Sequence, residues 1–287
     1  MAITASLVKE LREKTNVGMM ECKKALTEAG GDIDAAVKLL RERGAVKAAK
    51  KADREVNEGT VTTKISADGK SGILFQLSCE TDFVSRNDNF KALVTELEDA
   101  LIATDATDTE SALAASHGEG TVDAYLKAKV LELGENLVLS DFTRFSVEGE
   151  GIVSSYIHMG GKVGVLIEVA TGSDISSKDE FVSLVKDVNL HIAAAAPSGL
   201  NREDIPAELV EAEKEIFRKQ MENENKPADI IEKIITGKLG KFYSEQCLTE
   251  QGFVKDPSVS IKELVAQVAK ETGSDIAIQR FTRVSIG

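Results

Sequence analysis

Part of this chain is written twice, and that repeat constrains the fold before any single residue does. The segment Glu58-Gly59-Thr60-Val61-Thr62-Thr63-Lys64-Ile65 returns 92 positions later as Glu150-Gly151-Ile152-Val153-Ser154-Ser155-Tyr156-Ile157. Gly69-Lys70-Ser71-Gly72-Ile73-Leu74 returns at the same spacing as Gly161-Lys162-Val163-Gly164-Val165-Leu166. Each copy alternates apolar and polar residues as a half-buried strand does, turns at Asp68-Gly69 or Gly160-Gly161, and comes back as a second strand. Both read as β-hairpins. A helix follows each, with Phe90, Leu93, Val94, Leu97 and Leu101 at helical spacing in the first copy and Phe181, Leu184, Val185, Val188 and Ile192 in the second. A further block, Val122 to Val147, lies without a gap against Ile261 to Ile286, now 139 positions apart. It ends in the paired strands Phe142-Thr143-Arg144-Phe145-Ser146-Val147 and Phe281-Thr282-Arg283-Val284-Ser285-Ile286.

The change of spacing implies an insertion of about 47 residues in the second copy, near 205–249. Pro206 opens a long helical run there, Asn225-Lys226-Pro227 breaks it, and Ile230, Ile231, Ile234, Ile235 and Leu239 start another. The expected form is an antiparallel helical hairpin standing off the core. The core itself is expected to be α+β. It comprises two β-β-α-α-β units, at 58–148 and 149–287, each a three-stranded sheet covered by helices on one face.

Ahead of the repeat, residues 1–46 read as three short helices. Thr4 caps the first, whose Leu7, Val8 and Leu11 share a face, and Thr15-Asn16-Val17-Gly18 ends it. The second carries Cys22, Ala25 and Leu26 and stops at Gly30-Gly31. Asp32 caps the third, which holds Ile33, Ala36, Val37 and Leu40 and is expected to close at Gly44. A polar stretch at 47–57, with Lys47, Lys50, Lys51 and Arg54, then reads as a linker.

Composition narrows the function classes. A formal net charge of −13 disfavours a grip on bare phosphate backbones, which needs clustered Lys and Arg. No run approaches the roughly 18 to 20 apolar residues of a membrane span, and Met1-Ala2-Ile3-Thr4 begins no export signal, so a cytoplasmic protein is expected. Cys22, Cys79 and Cys247 lie far apart without CxxC spacing, which fits reduced thiols rather than a disulfide frame or a zinc site. His117, His158 and His191 form no metal motif, and there is no phosphate-binding loop or nucleophile elbow. No catalytic residue, metal or cofactor is expected.

Symmetry makes differences informative, because what both copies share is most simply scaffold. Opposite Thr81-Asp82-Phe83-Val84 in the first copy stands Ser173-Asp174-Ile175-Ser176 in the second, so the aromatic residue is peculiar to the first. The segment connects the strand ending at Cys79 to the helix holding Phe90. The residue pattern leaves two roles open for Phe83: closing the core beneath that helix, or contacting a partner. Met19 and Met20, after the turn at Gly18, are open to the same two readings.

Two long segments carry a family resemblance. Leu11-Arg12-Glu13-Lys14-Thr15-Asn16-Val17-Gly18-Met19-Met20-Glu21-Cys22-Lys23-Lys24-Ala25-Leu26 resembles the N-terminal signature of the elongation factor Ts family, and Cys79-Glu80-Thr81-Asp82-Phe83-Val84-Ser85-Arg86 resembles its second signature. Asn16 and Gln76 depart from the family's usual Gly and Glu. The resemblance spans nearly the whole chain and implies an N-terminal bundle like a ubiquitin-associated domain, a duplicated core and a coiled-coil insertion. It stops at Ile286-Gly287, where some relatives continue into a C-terminal helical module, so contacts made by that module are not expected. Family members exchange guanine nucleotide on elongation factor Tu and contribute no hydrolytic residues. By the same resemblance, Thr81, Asp82, Phe83 and Val84 form the tip that enters the partner's GTPase domain, with Phe83 wedged between two helices so that Mg²⁺ and then GDP are lost. Arg12, Met19, Met20 and Lys23 of the bundle would contact a neighbouring helix of that domain, and His158 would approach from the second core unit.

Overall fold

A computed structural model describes residues 3–221 and 228–287, and the Asn225-Lys226-Pro227 break lies outside that range. The chain is mixed α and β, with small antiparallel sheets. At the N-terminus, helices α1 (Ala5–Thr15), α2 (Met19–Glu28) and α3 (Ile33–Lys51) bury Val8, Leu11, Cys22, Ala25, Leu26, Ala36 and Leu40 against one another. The caps are those the sequence announces. Thr4 accepts from the Leu7 amide and Asp32 from the Ala35 amide, while Asn16 ends α1 in the left-handed region at φ 53°.

One boundary differs from the expectation. Gly44 does not close the third helix, which runs on to Lys51 through what reads as linker. The glycine is there for close approach. The helix α7 (Val122–Leu133) crosses α3 so tightly that a Cβ on Gly44 would lie 2.9 Å from the Ala128 Cα. Leu131 of α7 completes the bundle's apolar cluster, so the bundle is seated on the first core unit by the continued helix.

That first unit runs β1 (Glu58–Ile65), β2 (Ser71–Cys79), α4 (Asp82–Ser85), α5 (Asp88–Ile102), α6 (Thr109–Ala114), the short hairpin β3 (Ser116–His117) and β4 (Gly120–Thr121), α7, and β5 (Val138–Ser146). Its sheet order is β1-β2-β5, antiparallel throughout, with Glu58 opposite Cys79 and Ile65 opposite Gly72. The second unit runs β6 (Gly151–His158), β7 (Val163–Thr171), α8 (Asp179–Ala195), the inserted helices α9 (Ala207–Met221) and α10 (Ala228–Gln246), the hairpin β8 (Gly252–Phe253) and β9 (Asp256–Ser260), α11 (Ile261–Thr272), and β10 (Ile276–Ser285). Its sheet order is β6-β7-β10. The two inserted helices pack on each other through Val210, Ile235, Leu239 and Phe242.

The period-2 alternation of the central strands decides what each face touches. Ile73, Phe75, Leu77 and Cys79 of β2 point at α5 and α7, as Val165, Ile167 and Val169 of β7 point at α8 and α11. Leu74 and Leu166 point the other way, into a cluster with Val61, Phe145, Val153 and Ile286 that seals sheet to sheet. Equivalent residues meet across this seam. Thr63 donates to Ser155, 92 residues away, at 3.0 Å. The Val61 amide donates to the Gly161 carbonyl at 2.7 Å, and the Val153 amide to the Gly69 carbonyl at 2.8 Å. A Cβ on Gly72 would strike Val153 at 2.8 Å, and one on Gly164 would strike Val61 and lie 3.2 Å from Leu74. The seam is therefore a pseudo-twofold axis.

Candidate protein-contact site

The strand β2 ends at Cys79, and within three residues the chain enters α4. Thr81 caps this single turn, its hydroxyl accepting from the Val84 amide at 3.4 Å. The turn sorts its side chains. Val84 packs on the first unit's core, whereas Phe83 stands 84% exposed, the most exposed of the large apolar residues described. Phe83 does not close the core, so the first of the two readings open to it is overturned. Asp82 pairs with Arg86 at 3.2 Å along the turn, on a surface where such a pair is worth little to stability.

The second unit builds no helical turn at this place, and Ile175 is 2% exposed, inside the second unit's core. The repeat slips by one residue here, since Phe90 and Phe181, both fully buried, are 91 apart rather than 92. Val84 is thus the packing equivalent of Ile175. Phe83 has no apolar equivalent at all.

Side chains far away in sequence hold the base of the turn. The Glu135 carboxylate accepts from the amides of Glu80 and Thr81, each at 3.0 Å, and from the Thr81 hydroxyl at 2.6 Å. Glu80 in turn accepts from the Asn136 amide at 2.7 Å and from Arg54 at 3.2 Å. That amide first, and Arg54 with it, hold the Glu80 carboxyl below its ordinary pKa. The Asn136 side chain donates to the carbonyls of Ala52 and Arg54, and Lys51 donates to the Gly134 carbonyl. Lys47 also has an internal partner, pairing with Glu21 at 3.5 Å. The basic stretch after the bundle is therefore largely engaged within the chain, which argues against an RNA grip. Burial, and after it the Glu135 charge, pushes the Cys79 thiol up to about 11, so it is no thiolate nucleophile.

A cleft of about 600 Å³ separates α4 and α5 from the β6–β7 turn of the second unit; Asp82, Arg86 and Lys91 line one side, Met159, Gly160 and Lys162 the other. His158 is exposed at the head of that turn, and its Nδ1 lies 3.0 Å from the Tyr156 hydroxyl. Met159 follows at φ 49° and 73% exposed, a contact candidate that its sequence position did not announce. On the bundle, Arg12 of α1 and Met19, Met20 and Lys23 of α2 are all exposed, Met20 to 65%. The structure thus brings Asp82 across a cleft from the turn that follows His158, while the four bundle residues, each exposed, do not line that cleft. Glu135 and Asn136 carry no local signal in the sequence, and Arg54, read there only as part of a basic linker, gains its role from the long-range contact with Glu80.

The model of the family described as Elongation factor TS matches residues 80–287. The elongation factor Ts of Nitratiruptor is 44% identical over 290 residues, covering 100% of this chain and 94% of its own. That of Clostridium botulinum strain Alaska E43 is 45% identical, covering 99% of this chain and 93% of its own.

The chain belongs to the elongation factor Ts family.

It is accordingly a translation elongation factor of the nucleotide-exchange type and not an enzyme. Among the described residues, no helix is long and apolar enough to cross a membrane. The relatives cover the N-terminal bundle as well as the part that the family model matches, so the elongation factor Ts likeness takes in Met19 and Met20 along with Phe83.

Proposed function

We propose that this chain accelerates GDP release from elongation factor Tu in the cytoplasm by driving Asp82 and Phe83 into that partner's GTPase domain. The supporting observation is the exposed Phe83, held out on a capped turn with its neighbour Val84 anchored in the core. Mg²⁺ bridging the nucleotide phosphates is among the largest local charges in such a site, so a small displacement of its surroundings removes much of what holds GDP. Burying one phenylalanine supplies about 1.5 to 3 kcal/mol, and each 1.4 kcal/mol is about tenfold in affinity. One side chain is not enough. In this reading Arg12, Met19, Met20 and Lys23 of the bundle, at 1–46, and His158 of the second core unit, at 149–287, supply further contact. The first core unit, at 58–148, carries the tip. Linkage then makes the effect reciprocal, so nucleotide rebinding weakens the partner's hold on the factor.

The test is release of a fluorescent GDP analogue from elongation factor Tu, comparing the parent chain with Phe83→Ala and Asp82→Ala. Both variants are expected to be slower. Full-rate release with both would refute the wedge.

A further inference from the structure

The two core units solve the same structural problem, tying the end of the central strand to the loop before the last strand, with different chemistry. In the second unit Ser173 meets Ser274. The Ser173 amide donates to the Ser274 hydroxyl at 3.1 Å, and the two hydroxyls lie 3.0 Å apart. Ser173 is the repeat equivalent of Thr81, and Ser274 is the repeat equivalent of Glu135. The first unit therefore places a carboxylate where the second has a hydroxyl. The carboxylate reaches two backbone amides and one hydroxyl together, at 3.0, 3.0 and 2.6 Å. Hydrogen bonds to a charged acceptor are roughly twice as strong as neutral ones. The heavier clamp stands under the one of the two junctions that projects a large apolar side chain.

We infer that Glu135 is a positioning residue for the tip: it fixes the Glu80-Thr81 backbone, and through the Thr81 cap the direction in which Asp82 and Phe83 point. The inference rests on the reading of that tip as the exchange element. Its logic is preorganisation. A turn of four residues has no stability of its own, and a loosely held Phe83 would lose conformational freedom on docking that a clamped one has already given up. Thr81 is both ends of the linkage. Its hydroxyl hydrogen goes to Glu135, which leaves its lone pairs to accept from Val84. The clamp and the cap are compatible for that reason. The same carboxylate sits next to Asn136, which is bonded to the end of α3, so tip and bundle share one anchoring loop.

The chain contains no tryptophan, so Phe83→Trp gives a single fluorescent reporter at the tip of the intact protein. In that background Glu135→Ala is expected to shorten the anisotropy decay of Trp, and Glu135→Ser, which installs the second unit's own residue in a fold already known to accept it, to shorten it less. Glu135→Asp should restore part of the order. With Phe83 in place, Glu135→Ala is expected to slow GDP release at saturating factor by about tenfold, or about 1.4 kcal/mol, while the half-saturating concentration changes less than about twofold. A general loss of structure would lower the unfolding temperature of Glu135→Ser and Glu135→Ala alike and change both kinetic constants. Unchanged tip anisotropy in both variants overturns the clamp. Greater mobility with unaltered GDP release, while Phe83→Ala is slow, overturns the link between clamp and exchange. Greater mobility with neither Glu135→Ala nor Phe83→Ala affecting release leaves the clamp standing and overturns the exchange reading instead.

Discussion

The two core units share strand order, helix placement and seam contacts, yet the short junction after the central strand has opposite fates in them. In the first unit it is a capped helical turn with Phe83 in solvent; in the second it is an irregular loop with Ile175 in the core. A fold that tolerates both places no packing demand on the aromatic side chain. A lone exposed apolar side chain is ordinary on a protein surface; what singles Phe83 out is that the same junction of the sister unit leaves no apolar residue in solvent. The contrast thus separates residues that hold the molecule together from residues that act on something else, using the molecule as its own control.

The sharpest way to break this comparison is to truncate both side chains. Phe83→Ala should slow GDP release by about 10- to 100-fold and leave the urea midpoint essentially unmoved. Ile175→Ala should destabilise the chain by about 2 to 5 kcal/mol, seen in the same midpoint, with release still fast under conditions where it is folded. If Phe83→Ala were the destabilising one, the division of labour would be wrong.

The seam gives the next largest effect. Gly72→Ala and Gly164→Ala each push a methyl into the opposite sheet, against Val153 in one case and Val61 in the other, and should cost about 1 to 3 kcal/mol apiece in denaturant titrations. Near-equal losses would sharpen the twofold account; a severalfold inequality would break it.

A smaller effect distinguishes the units by pH. His191 on α8 is fully buried, with its Nε2 2.9 Å from Gln251 and its Nδ1 accepting from the Val254 amide at 3.3 Å. Burial pushes its pKa below the usual imidazole value, against a lesser upward pull from Gln251. The unfolded chain therefore takes up a proton first. This contribution to stability is complete above the unfolded pKa, near 6.5, and is lost as pH falls from there through the folded pKa. His191→Gln is expected to flatten the pH dependence of the urea midpoint between about pH 7 and about pH 5, and an unchanged slope would exclude His191 as its source. The repeat equivalent in the first unit is Ala100, so no matching term arises there.

The least effect should come from the paired surface lysines. Lys162 meets Glu58 at 2.8 Å and Lys70 meets Glu150 at 3.8 Å, at equivalent places on either side of the seam. Alanine at either lysine should change stability by under about 1 kcal/mol. A larger loss at Lys162 alone would point to a role for the Asp82 cleft that it lines.

What the sequence disclosed, and what it hid, follows the range of the interactions. Hairpins, caps and amphipathic helices are set by neighbours in the chain, so alternation at Ile73 to Cys79 and the cap at Asp32 were plain. The repeat added a long-range inference that pattern alone rarely supplies, namely that two similar units exist. Gly44 misled because glycine ends helices through local conformation but also permits crossings through the absence of a Cβ, and only α7 reveals which applies. The short hairpins β3–β4 and β8–β9 carry too few residues for a periodic signal. At the candidate site, Phe83 was legible through the difference between copies, whereas Asp82, which stands opposite Asp174, was marked only by the family resemblance. Glu135 was not legible, since a carboxylate 54 residues from Thr81 has no local signature.

The contact of Thr63 with its own equivalent, Ser155, has a meaning beyond stability. Self-complementary contact between like surfaces is how identical subunits close into a symmetric pair. Here the halves belong to one polypeptide, and that alters what the geometry permits. A homodimer of such units would be obliged to carry either two projecting phenylalanines or none. Joining the halves in one chain removes that obligation, so one half can be specialised while the other remains structural.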